Sequence, residues 1–382
     1  MTRGLLAVTA VAALAAGCGG GATTTQTVET TTTKVEVVKP TGQAETGFDA
    51  GAIYNRESPG VVTVISTGLQ EGSARNAAGL GSGFVVSGDG QIATNAHVVT
   101  SGAGPDIHKA RQVYVRFADG NQVPAQVKGF DPFADVALLK VDPAGLTLRP
   151  LPLGTTHNLQ VGAPVAAIGS PFGQQTSLSV GVVSATGRSI DSLTSGFAVA
   201  NAIQVDAPIN RGSSGGPLFD AAGRVIGINA QIESTSGTAE GVGFAIPINV
   251  ARRSLDQLVR TGRVRYAYIG IRTQDVTPGI ARRFELGATR GALVTRVDDS
   301  TPAARAGLRG GTRTEVYNGL DVTLGGDLIV AIGDSPVTST DDVSRIVSTE
   351  LLPGQTVTFT VLRGGTRRAT VDVKLGERPA GR

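Results

Sequence analysis

The chain has 382 residues, 40% of them hydrophobic, with 53 glycines and no tryptophan, so two or three glycine-rich, turn-rich units are expected rather than a helical bundle. Net charge is +3, from 34 basic and 31 acidic residues, and both signs interleave along the chain, which argues against a basic stripe for nucleic acid. The single cysteine, Cys18, excludes an intrachain disulfide.

In chain order, Met1-Thr2-Arg3 is a short positive region, and Gly4–Ala16 is an apolar run too short for a comfortable membrane span. It ends in "LAAGCGG", which resembles a bacterial lipoprotein signal: cleavage before Cys18, with lipid attached to its sulfur. An uncleaved anchor or plain secretion are the alternatives, because Ala15 stands where a branched aliphatic is usual. Residues 19–47, rich in Gly, Thr and polar side chains without an apolar period, read as a tether.

Within an expected domain of residues 48–262, from Gly60 to about Pro247, short runs such as "VVTVIS", "GSGFVVS", "QVYVRF", "VALLKV", "PVAAIG" and "RVIGINAQI" alternate with turn residues. Strands at this spacing predict an all-β sandwich or a pair of barrels. "FVVSGDGQIAT" reads as a hairpin, with Gly88-Asp89-Gly90 supplying positive backbone angles. "INVARRSLDQLVRTGR" (248–263) predicts a helix with Val250, Leu255, Leu258 and Val259 on one face and Gly262 near its stop.

Residues 263–382 mix elements into a small α+β module. "STPAARAGL" predicts a short helix between Pro302 and Gly307. "STDDVSRIVSTE" predicts a second, with Val343, Ile346 and Val347 on one face, and "TVTFTVLRGGTRRATVDVKL" a hairpin. The stretch from Leu308 to Gly326 reads as an inserted hairpin.

Nucleophilic catalysis by serine needs a base, a group to orient it, and backbone donors for the oxyanion. In "NRGSSGGPLFD" (210–220), Ser214 stands among small neighbours that would leave room for an acyl group. The amides of Gly212 and Ser214 could converge there; the alternative is a plain tight turn. Of three histidines, His108 and His157 lie in polar loops, and only His97, in "TNAHVV", follows an apolar strand that could hold it. Asp135, before the buried-looking run "VALLKV", is the candidate orienting acid; Asp131, next to Pro132, reads as a turn residue.

"GSGFVVSGDGQIATNAHVV", "DPFADVALLKV" and "INRGSSGGPLFD", together with "IGSPFG", "SVGVVSATGR" and "GVGFAIPIN", resemble the motifs of the HtrA/Deg family of chymotrypsin-fold serine proteases. The resemblance runs from about Ile53 to the C-terminus. It implies a mostly β fold, a chymotrypsin-like double β-barrel followed by a small α+β PDZ domain. His97 would be the general base, Asp135 its orienter and Ser214 the nucleophile, with an oxyanion loop of Gly212, Ser213 and Ser214. Ser213 stands where the family usually has asparagine. Six residues before the nucleophile is Pro208, not a carboxylate, so cleavage after small or medium apolar residues is expected rather than after Lys or Arg.

"YIGI" (268–271) is similar to the carboxylate-binding loop of a PDZ domain, where Tyr268, Ile269, Gly270 and Ile271 would receive a peptide C-terminus. The groove would run between this strand and the helix carrying Val343, Ile346 and Val347. The resemblance implies a serine endopeptidase for unfolded or misfolded exported proteins, on the extracytoplasmic face of the membrane or secreted. It also implies a homotrimer packed partly through Tyr54, and loops 189–197 and 231–241 that switch order with activation. Neither a phosphate-binding lysine loop nor a metal-ligand spacing occurs, so no cofactor is expected. The competing readings are a chaperone or PDZ scaffold on an inactive protease fold, and a site-specific regulatory protease of one membrane substrate.

Overall fold

A computed structural model describes residues 47–71, 74–170, 176–195, 198–210, 212–230 and 242–379. The leader, Cys18 and nearly all of the tether lie outside these residues, as do loop 231–241 and residues 196–197 of loop 189–197.

Two six-stranded closed barrels follow α1 (Ala50–Glu57). The first uses β1 (Val61–Glu71), β2 (Ala74–Val85), β3 (Gln91–Thr94), β4 (Gln112–Arg116), β5 (Gln122–Asp131) and β6 (Val136–Lys140). The second uses β7 (Pro164–Gly169), β8 (Ser177–Asp191), β9 (Ala198–Val205), β10 (Pro217–Phe219), β11 (Val225–Ala230) and β12 (Gly243–Pro247). Neighbours run β1-β2-β3-β6-β5-β4 in the first and β8-β9-β12-β11-β10-β7 in the second, the same circular order. Closure leaves no strand edge to manage.

The barrels share a core, which explains why some strands are apolar throughout instead of alternating. In β6, Ala137 and Leu139 fill the first barrel, while Val136 and Leu138 pack with residues of the second. In β7, Val165 and Ala167 face the second barrel's interior, and Ala166 and Ile168 join that shared cluster with Phe84 and Phe219. Both faces of these strands are dry, so period-2 patterning disappears. In the hairpin between β2 and β3 only Gly90 takes a positive φ, of 95°.

Helix α3 (Ile248–Thr261) buries Leu255 and Leu258 and ends at Gly262, whose φ of 70° supplies the left-handed cap. Val259, expected on the buried face, is 53% exposed. The C-terminal module has an antiparallel sheet in the order β14 (Ile271–Val276), β15 (Gly291–Val297), β18 (Leu328–Ile332), β19 (Thr356–Arg363), β20 (Arg367–Lys374), with Ser335–Pro336 pairing on β18. The hairpin β16 (Arg313–Tyr317) and β17 (Leu320–Leu324) turns at Asn318-Gly319, both at positive φ, as a two-residue hairpin requires. A short strand β13 (Ala267–Tyr268) pairs with β21 (Gly376–Glu377). The helices are α4 (Pro278–Arg283), α5 (Pro302–Ala306) and α6 (Thr340–Arg345), the last continuing as a wider turn over Ile346–Glu350.

Module and barrels belong to one compact unit. From α3, Arg253 donates to the carbonyls of Ser348 and Leu351 at the end of the α6 segment. Those are carbonyls without intrahelical partners, where a cation is favoured.

Candidate active site

The first barrel supplies an imidazole and a carboxylate. After β3 the chain enters α2 (Ala96–Val99), and His97 lies in that turn. Its backbone N–H donates to Asp135 Oδ1 at 2.9 Å, and its ring Nδ1 lies 2.7 Å from Asp135 Oδ2. A carboxylate can only accept, so Nδ1 carries the proton and Nε2 of the neutral ring is left as an acceptor. Asn95 Nδ2 and the amide of Ala96 both donate to the Asp135 carbonyl, at 2.8 and 3.2 Å. Asp135 is thus held at its carboxylate and at its backbone, in a left-handed conformation with φ of 53°. Such a backbone is uncommon outside glycine, and aspartate and asparagine are among the residues that tolerate it.

The Asp135 side chain is 6% exposed and the His97 ring 21%. Burial on its own pulls the imidazole down, but the charge of Asp135 and its hydrogen bond push the other way and prevail, leaving His97 above its ordinary 6.5.

The second barrel supplies the serine. Ser214 is buried in the turn before β10; its carbonyl accepts from the Ser82 amide at 2.8 Å, and Gly215 N–H donates to Asn229 at 2.8 Å. A Cβ on Gly215 would run into the Ser82 carbonyl and Thr94 Oγ1, and one on Gly81 would press on both Val98 and the Ser214 carbonyl. Only glycines let the serine turn settle this closely onto β2, β3 and α2. His97 and Asp135 are therefore directly bonded, and the Ser214 turn packs through Gly81 against Val98 of the helix that carries His97.

Gly212 takes φ of 94°, and the Ser213 amide donates to the Asn210 carbonyl at 2.9 Å. Of the expected oxyanion loop, Ser213 spends its own N–H inside the turn, and Gly212 and Ser214 flank it. His108 and His157 both stand apart: His108 is exposed in a two-residue strand, and His157 is in a loop facing a cavity between the second barrel and α6. No group of three or more potential metal ligands gathers among the described residues.

Asp131 is more than a turn residue. It is fully buried and accepts four hydrogen bonds: from the amides of Phe133 and Ala134 at 3.0 and 3.2 Å, Ser254 Oγ at 2.6 Å and Tyr266 Oη at 2.5 Å. Burial pushes its carboxyl up, against the donors that pull it down. Tyr266, in the connection to the module, packs edge-on to Phe133 and under the Arg378 guanidinium. The segment that carries Asp135 is therefore pinned to α3 and to the connection. The sequence neighbours of Asp131 gave only a turn beside Pro132, because its partners lie 123 and 135 residues away.

In the module, Tyr268 pairs with Gly376 in the short sheet, and Ile269 is buried. The carbonyl of Ile269 accepts from Ala303 N–H at 2.9 Å and that of Gly270 from Asp298 N–H at 3.0 Å. In a trans peptide the N–H opposes the C=O, so the Gly270 amide turns away from α5 and the Ile271 amide away from Asp298. Gly270 has φ of 82°, and a Cβ there would collide with Thr301. Strand β14, opening at Ile271, is the sheet's edge. Val343, Ile346 and Val347, on one face of the helix expected beside this strand, are buried in the module's core.

Comparison with known proteins fits this architecture. Residues 81–228 match the family model of a trypsin-like peptidase domain, and residues 267–375 that of a PDZ domain. A probable periplasmic DegP-like serine endoprotease of Pseudomonas fluorescens is 39% identical over 305 residues, 80% of this chain and 58% of the relative. Its counterpart in Hahella chejuensis is 40% identical over 300 residues, 78% of this chain and 57% of the relative. The chain thus spans somewhat over half the length of these curated relatives. Among solved structures, the HtrA-type protease AlgW with a tripeptide is 33% identical with a TM-score of 0.71, over 87% of this chain and 98% of that one. The serine endoprotease from Yersinia pestis is 31% identical with a TM-score of 0.60, over 86% and 98%.

Proposed function

This chain belongs to the HtrA-type serine protease family, and we propose that it is an extracytoplasmic serine endopeptidase acting through Ser214, His97 and Asp135. The observation that carries the reading is the doubly bonded His97–Asp135 pair beside the Ser214 turn. Ser214 Oγ attacks the scissile carbonyl carbon as His97 Nε2 takes its proton. Asp135 holds the ring's tautomer and stabilises the imidazolium. The amides of Gly212 and Ser214 receive the negative oxygen. When the C–N bond breaks, His97 returns the proton to the leaving amine, and water then releases the acyl group by the reverse sequence.

On this reading residues 48–262 are the protease domain and 263–382 the PDZ domain. The amides of Gly270 and Ile271 take the C-terminal carboxylate of a substrate or activator, and the peptide adds to the β14 edge. Substrates are unfolded exported proteins cut after small or medium apolar residues, consistent with Pro208 and the buried Ile209 preceding the nucleophile turn. The N-terminal leader directs lipid to Cys18. The assembly is a trimer; Tyr54, the aromatic tied to that packing, is half-buried and bonded to Thr176 of its own chain at 2.7 Å.

A fluorophosphonate probe tests the core of this. Wild type is expected to label and to degrade unfolded casein, and Ser214→Ala to do neither while melting at the same temperature. Labelling that survives in Ser214→Ala would end the assignment. Product mapping checks specificity, with a predominance of cuts after Lys or Arg as the contrary result. Sedimentation and the mass of the mature Cys18→Ser variant check the trimer and the lipid.

A further inference from the structure

Ser82 is a hydroxyl in the middle of β2, fully buried between two barrels of aliphatic side chains. A hydroxyl there costs stability unless its bonds are made. All of them are made across the barrel boundary or next to it. Its Oγ donates to the Gly212 carbonyl at 2.5 Å and accepts from the Ser170 amide at 2.8 Å. Its N–H donates to the Ser214 carbonyl at 2.8 Å, and its carbonyl accepts from Thr94 Oγ1 at 2.6 Å. Thr63 Oγ1 extends the chain of contacts by donating to Ser170 Oγ at 2.7 Å.

Three successive carbonyls of the nucleophile turn are therefore captured: Gly212 by Ser82 Oγ, Ser213 by Gly216 N–H at 3.1 Å, and Ser214 by Ser82 N–H. Peptide planarity carries this to the donors. With the Ser213 carbonyl turned into the loop, the Ser214 N–H must point the other way. The Gly212 N–H sits on the preceding peptide, and its direction depends on rotation about Gly212, a residue with no side chain to resist it. That rotation is fixed only if the peptide between Gly212 and Ser213 is fixed. Two bonds do so: Ser213 N–H to Asn210 at one end, and Ser82 Oγ to the Gly212 carbonyl at the other.

We infer that Ser82 is a positioning residue for the reaction: its hydroxyl, oriented by the Ser170 amide, holds the Gly212 carbonyl and through it the amide that receives the oxyanion. The inference rests on the reading of Ser214 as the nucleophile.

The full chain is compared as wild type, Ser82→Ala and Ser82→Cys. Deleting an oxyanion donor outright lowers kcat by about 10²–10³, so loosening one should lower it by about 10- to 100-fold in Ser82→Ala. KM should hold, and Ki for a peptidyl trifluoromethyl ketone, whose hemiketal oxygen mimics the oxyanion, should rise in proportion to the loss in kcat/KM. Ser82→Cys, with a weaker donor of similar shape, should fall between. A kcat equal to wild type overturns the inference, and so does a loss that tracks a lower Tm with KM and Ki rising alike. If Ser82→Ala is insoluble, Ser82→Cys decides by the same criteria. The underlying reading fails differently, through hydrolysis by Ser214→Ala or a wild type that the fluorophosphonate does not label.

Discussion

Two glycine-centred turns in this molecule share a backbone conformation, yet are secured by different means. At Gly212 and at Gly270 the backbone is at positive φ and the glycine's carbonyl is tied down. Gly270 is held by Asp298 N–H, 28 residues along the same small module. Gly212 is held by Ser82 Oγ, 130 residues away in the other barrel. The first turn comes with its own domain; the second is completed only when two barrels dock. The geometry of the turn around Ser214 is thus set only once both barrels are folded and docked.

That contrast can be broken or sharpened by experiment. The largest effect is expected of Asp135→Asn, which keeps the shape but misorients the imidazole proton; kcat should fall by about 10⁴-fold, measured on a peptide substrate, with binding at Gly270 untouched. Next, Gly270→Val places a β-branched side chain at φ of 82° against Thr301. Strain of about 1–3 kcal/mol should weaken C-terminal peptide binding about 10- to 100-fold, read by fluorescence anisotropy. Labelling of Ser214 should persist; its loss would mean that the two turns are not independent.

A smaller change is expected of Tyr266→Phe, which removes one of four donors to the buried Asp131. Stability should drop by about 1–3 kcal/mol in a denaturant titration, and a drop within error would show that the junction is held by packing alone. The subtlest test is pH. The base must be neutral to act, and His97 lies above its usual 6.5, so the acidic limb of kcat/KM should have its midpoint above 6.5. Asp135→Asn removes the charge that raises it and leaves the burial that lowers it, so the midpoint should move down.

The barrels, the module and its inserted hairpin were legible because their patterns are local: short Val- and Ile-rich runs, Asn318-Gly319, Pro302 before a short helix and Gly307 after it. His97 could be preferred over His108 and His157 for the same reason, its position after an apolar strand. What sequence does not display is a side chain's distant partner. Asp131 looks like a turn former beside Pro132 until Ser254 and Tyr266 are folded onto it. Ser82 reads as one small residue in a glycine-rich strand, because the carbonyl it holds belongs to another barrel. Val343, Ile346 and Val347 share a helical face as expected, but which surface that face meets is a tertiary fact, and it is the core.

The left-handed backbone of Asp135 has a consequence for what mutation can try at that position. Glycine, asparagine and aspartate can occupy it at little cost, whereas glutamate would bring both a longer reach and a less tolerant backbone. A lineage could thus disarm the acid in one nucleotide-sized step to its amide and restore it the same way. Glutamate is also one nucleotide away, but its extra methylene would shift the carboxylate off the His97 amide and ring it now meets, so the residue is more open to silencing than to tuning.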